Sequence, residues 1–156
     1  MTDSPSGSRP PPPASPATYA GAQIKKSLVE AGFEIFRTRG DEIVLAERPR
    51  ENLILDSGVR LRAGADLQVR IVVRAQRADF PNEEDANLFQ RARTIGARAV
   101  AAGFAEIDAS ATRVADPGDP SRTLDTFYEV TFAKAADSLP EALTELRFVL
   151  SLEKRA

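Results

Sequence analysis

A chain of 156 residues, 42% hydrophobic and 28% charged, fits one soluble domain plus an appendage. Its net charge of −2 argues against non-specific attraction to nucleic acid or to an anionic membrane. It has neither cysteine nor histidine, which excludes disulfides, thiol nucleophiles and zinc–thiolate sites and removes the commonest general base and metal ligand.

The N-terminal segment, residues 1–16, holds six of the eleven prolines and no apolar side chain larger than Ala beyond Met1. Such a segment cannot bury enough surface to offset its ordering entropy, so a disordered Pro/Ser-rich tail is expected, with Pro10–Pro13 favouring polyproline II. It reads as a solubilising tail rather than a ligand for a proline-binding module. It also lacks the apolar segment of a secretory leader, and no run in the chain approaches the roughly 20 apolar residues that span a bilayer, so a cytoplasmic protein is expected. The basic residues comprise 17 Arg and four Lys, which beside abundant Ala reads as the mark of a GC-rich bacterial genome.

Residues 17–156 read as a single domain. Thr18 is placed to cap a helix carrying Ala20, Ile24, Leu28 and Ala31, which Gly32 stops because it has no Cβ to clash in the left-handed conformation. Phe33 opens a strand to Arg39, Arg39-Gly40-Asp41 turns it, and the return strand ends at Pro49, which cannot donate to a ladder. Asp56-Ser57-Gly58 reads as a turn. Residues 67–76 alternate, with Leu67, Val69, Ile71, Val73 and Ala75 on one face, the pattern of a strand buried on one side.

Asn82 then reads as the N-cap of a helix to about Ala102, with Asp85 as its reciprocal capping partner. Leu88, Ala92, Ile95 and Ala99 form its apolar face. Gly103 stops it, Phe104 opens a strand to about Ala115, residues 116–122 make a polar turn and 125–133 return. The phrases VEAGFEI, residues 29–35, and VAAGFAEI, residues 100–107, are therefore the same helix–Gly–strand joint used twice. Finally, Ser138 and Glu141 form a capping box around Pro140, opening a helix striped by Leu139, Leu143, Leu146 and Leu150. The sum is an α+β fold: an antiparallel sheet of about five strands with helices packed on one face, in the order α-β-β-β-α-β-β-α.

That order of elements, over residues 17–156, resembles the type III secretion chaperone-like superfamily, which includes the YbjN-like proteins. The resemblance implies a small acidic cytosolic homodimer that holds an extended segment of a protein partner on apolar surface, without catalysis. It brings no binding residues with it, and the proline-rich tail is foreign to the pattern.

Candidate sites follow from side-chain chemistry. Phe148 and Leu152 form a ridge beside the leucine stripe, so a helix this widely apolar is either deeply buried or shared with another chain. They are the expected partner-binding residues, joined by Phe127, which alternation turns outward while Tyr128, Val130 and Phe132 turn in. Arg70 and Arg74 share the polar face of residues 67–76 and offer an alternative function, binding a small anionic ligand, unless a cross-strand carboxylate such as Glu129 neutralises them. The Arg39-Gly40-Asp41 triplet reads as a hairpin turn and not an adhesion motif. Glu83, Glu84 and Asp85 are explained by a helix N-terminus without a metal. No phosphate loop, dinucleotide fingerprint or Ser–Lys dyad spacing is present, so no enzyme, no cofactor and no metal is expected. A non-catalytic, dimeric, chaperone-like adaptor for a protein partner is the leading expectation.

Overall fold

The computed structural model describes residues 16–156; the expected disordered tail, with its polyproline stretch, lies outside the described residues apart from Pro16. The elements are helix α1, Pro16–Glu30; strands β1, Ile35–Arg39, β2, Glu42–Arg50, β3, Leu53–Ala63, and β4, Leu67–Gln76; a 3-10 turn at Arg77–Asp79; helices α2, Asp85–Ile95, and α3, Ala97–Ala101; strands β5, Ala105–Asp116, and β6, Asp119–Ala136; and helix α4, Leu139–Leu150. The six strands form one open antiparallel sheet in the order β1-β2-β3-β4-β6-β5. The α+β class and the one-sided helical roof are as expected, whereas the strand count of about five falls short by one and the second helix is split in two.

The difference in strand count arises at Asp56-Ser57-Gly58. This triplet is not a turn but a bulge inside β3: Val44 to Ala46 of β2 lies opposite Arg60 to Asp56 of β3, so β3 carries extra residues. Gly58 holds φ +81° there. Ser57 is 3% exposed; its hydroxyl donates to the Leu45 carbonyl at 2.6 Å and accepts from the Val59 N–H at 3.1 Å. The bulge thus satisfies its own buried backbone through a side chain. Pro49 does not end β2 either. It lies within the strand, between the paired residues Glu47 and Arg50, where the ladder to β3 is interrupted and a missing N–H costs nothing.

The alternation of β4 is as expected. Val69, Ile71, Val73 and Ala75 are fully buried; the first three share one core with Ile24 and Leu28 of α1, Ala92 of α2 and Ala142, Leu146 and Val149 of α4, and Ala75 packs with Leu88 and Tyr128 in a second, smaller cluster. On α4 the buried line runs through Ala142, Leu146 and Val149, with Leu139, Leu143 and Leu150 half-buried beside it. Ser138 caps α4 by accepting from the Glu141 N–H at 3.2 Å. Helix α1 already includes Thr18, so Thr18 is not its cap. Helix α2 begins at Asp85 with Glu84 at the N-cap and not Asn82. Arg77 governs this entry by donating to the carbonyls of Phe80 and Glu83 and to Asp85, which also accepts from the Tyr128 hydroxyl at 2.8 Å.

The two joints with the shared phrase are superimposable in their bonding. Phe33 N–H donates to Leu28 O at 2.9 Å and Phe104 N–H to Ala99 O at 3.0 Å, with Gly32 at φ +94° and Gly103 at φ +101° between them. The small face of the second helix is used inside the chain. Ala92 and Ala99 are fully buried, and Gly96 lies so close to the Phe132 ring that a Cβ there would meet Cε1 at 2.3 Å.

Candidate protein-binding edge

The two ends of the sheet are unlike. Edge strand β1 has five residues, two of them Arg, and a register shift between Ile35 and Arg37; short, charged, bulged strands are poor templates for pairing. Edge strand β5 has twelve residues and contains neither Pro nor Lys, and Ala105 to Arg113 are exposed without interruption. It pairs with β6 on one side only. Its other side presents the N–H and C=O groups of a strand with no neighbour among the described residues.

The register assigns each β5 side chain to a face. Glu106, Ala109, Ala111 and Arg113 lie opposite Phe132, Val130, Tyr128 and Thr126, in rows that belong to the helical side. Asp108, Ser110 and Thr112 lie opposite Thr131, Glu129 and Phe127, in rows of the outer side. Ile107 is the extra residue of a bulge between Glu106 and Asp108, and from Asp108 to Val114 the ladder is regular. Helix α2 packs on β4 and β6, and the short α3 lies against β5, yet Ala105 to Arg113 remain exposed, and Ala109 and Ala111 offer no apolar bulk to cover. Glu106 is engaged by Arg93 of α2 at 2.8 Å, and that hydrogen bond holds its carboxyl below the usual carboxylate range. Arg113 donates to the Thr123 hydroxyl and to the Pro120 carbonyl.

The arginine face expected to offer an anion site is a set of closed pairs. Arg74 meets Glu129 at 2.8 Å, and its guanidinium lies 4.1 Å from the centre of the Phe127 ring. Arg70 donates to Gln68 at 2.6 Å and stands 3.8 Å from Glu42. Arg60 makes a two-pronged contact with Asp56, 2.9 Å on each arm. Burial by itself would raise the Asp56 carboxyl, but Arg60, the Gly58 N–H and Arg37 together hold it below its ordinary value. Arg70 and Arg74 do share a face, therefore, and their charges are directed at acceptors within the chain.

Beside Arg74 the sheet opens. Strand β3 pairs with β4 only up to Ile71, because the bulge leads β3 away. The C-terminal residues enter the gap: Arg74 N–H donates to Lys154 O at 2.9 Å, and Ala156 N–H donates to Arg74 O at 2.9 Å, a short parallel bridge. The Lys154 ammonium donates to the carbonyls of Val149, Leu150 and Leu152, closing the end of α4. Burial lowers its pKa, with Glu47 pulling the other way. A cleft of about 410 Å³ remains, lined by Leu55, Val72, Leu152 and charged groups of both signs, among them Arg74, Glu129 and Glu153.

The three residues expected to bind a partner are not brought together. Leu152 lies beyond the end of α4, is 6% exposed and belongs to the core of the single chain, so it is no longer a helical ridge neighbour of Phe148. Phe148 is half-buried against the same core. Phe127 lies on the outer face, as alternation requires, but under Arg74. The β5 edge escaped sequence reasoning, although a signal was present: residues 105–113 contain Ile107 as their one large apolar side chain, a composition that leaves nothing for a helix to cover. Glu83 and Asp85 are bound to Arg91 and Arg77, and no cluster of acidic groups able to hold a metal occurs among the described residues. No described helix is long and apolar enough to cross a membrane. No family model, curated protein or solved structure matches the chain.

Proposed function

We propose that this protein is a non-catalytic, chaperone-like adaptor that binds an extended protein segment by strand addition along β5. The supporting observation is the free β5 edge, which is long, regular from Asp108 to Val114 and uncharged from Ala109 to Thr112. Main-chain groups of an edge strand give affinity to any extended segment, and side chains on alternate rows tune the choice. Small side chains at Ala109, Ser110 and Ala111 let an incoming backbone approach without displacing anything. The absence of His and Cys leaves the residue chemistry suited to binding rather than turnover.

The test is capture from the native lysate with the wild-type chain and with Ala109→Lys/Ala111→Lys, followed by amide hydrogen exchange on the purified complex. The expected result is a stoichiometric protein lost from the variant, with slowed exchange across residues 105–113 in the complex. If residues 105–113 exchange equally fast alone, concentrated and with every captured protein, the reading is wrong.

A further inference from the structure

We infer that the strand received by β5 is β5 of a second copy, paired antiparallel about a two-fold axis at Ser110, so that two six-stranded sheets join into one. This rests on the reading of β5 as a docking edge and names its occupant. The charge order of β5 carries the argument. Its N-terminal end is acidic, with Glu106 and Asp108, its middle is neutral, and Arg113 stands at the other end of the regular stretch, with Asp116 beyond it held by Arg122 at 3.6 Å. An antiparallel pair of identical strands sets each acidic end beside the partner's basic end, whereas a parallel pair would set acid against acid.

The faces make the match specific. With the two-fold at Ser110, Ser110 meets Ser110 and Ala109 meets Ala111 in both directions. Asp108 meets Thr112, whose hydroxyl can donate to the carboxylate, and both lie in outer-side rows. The bulge at Ile107 sets Glu106 in the row next to Asp108, so Glu106 falls opposite Arg113 of the second copy, and both lie in helical-side rows. Every charged side chain in the regular stretch therefore meets an opposite charge or a hydroxyl, and no like charges face each other. Such self-complementarity is what a two-fold interface requires. It also removes the exposed edge as a template for open-ended pairing.

The full-length chain is examined by sedimentation at tens of micromolar. The expected wild-type species is a dimer; Ala109→Lys/Ala111→Lys, which sets Lys against Lys in both directions, gives a monomer with unchanged circular dichroism that melts as the wild type does when diluted to monomer, since both positions are exposed in the single chain. Arg113→Glu, which sets a carboxylate against Glu106 of the second copy and leaves the Arg93–Glu106 pair in place, weakens the dimer by about tenfold. Because the chain has no cysteine, Ser110→Cys provides a further readout: mild oxidation joins two copies through that position, while Thr144→Cys on α4 stays unlinked. A monomeric wild type overturns the inference, as does a dimer that survives the double lysine change. If the wild type is monomeric yet captures another protein through an edge sensitive to that change, the adaptor reading stands and the self-pairing falls.

Discussion

At the scale of single residues, three positions carry more than their size suggests. Gly96 has an ordinary helical φ of −76°, so its value is not backbone freedom but the absence of a Cβ against Phe132. Gly96→Ala is expected to destabilise by about 1–3 kcal/mol through overpacking; in urea unfolding, Gly96→Ala/Phe132→Leu should lose less than the two single changes summed, because the smaller side chain relieves the clash. Ser57→Ala strands the Leu45 carbonyl and the Val59 N–H in the interior, and the same measurement should show a loss of about 1–3 kcal/mol. Asp56 sets a pH dependence. Its folded pKa is depressed, so its contribution is complete above the unfolded value of about 4 and is lost as pH falls through the lower folded value. Glu106 acts in the same direction. The melting temperature should hold from neutral pH to about 5 and decline below about 4, and Asp56→Asn should lower it at neutral pH and flatten the acid slope.

At the scale of elements, the chain solves recurring problems by local means. Two helices return to the sheet through the same glycine joint, although one phrase precedes a short edge strand and the other a long one. A cap fixes the start of α4, and Ser138→Ala should cost about 1 kcal/mol, read as a lowered urea midpoint at unchanged slope. Sequence reasoning failed at elements whose boundaries depend on distant partners. Asn82 and Asp85 have the spacing of a capping box, yet Arg77 and Tyr128 draw Asp85 into another network and the helix starts later. Asp56-Ser57-Gly58 has turn composition, yet the carbonyl of Leu45 on the neighbouring strand accepts the Ser57 hydroxyl and the chain continues as a bulged strand. Turn-forming residues and bulge-forming residues are the same residues; the neighbouring strand decides between them.

At the scale of the whole molecule, the C-terminal residues close what the β3 bulge opens, and Leu152 is the apolar anchor of that closure. Leu152→Ser is therefore expected to destabilise the single chain by about 2–5 kcal/mol in urea unfolding, in contrast to β5 changes that leave the fold intact. This reverses what the sequence implied, where Phe148 and Leu152 looked like surplus apolar surface on a helix. By itself, the sequence determined the α+β class, the alternation of β4, both glycine joints, the cap of α4 and the inward set Tyr128, Val130 and Phe132. Each of these depends on periodicity or on groups a few residues apart, which the linear order records. The tertiary structure alone decided that β5 is an edge, that the arginines of the outer face meet carboxylates, that Gly96 is filled by a ring from β6 and that Leu152 is core. Those outcomes depend on strand order and on pairs such as Arg74 and Glu129, 55 residues apart, and burial or exposure of a strand is a property of what lies beside it rather than of its own residues.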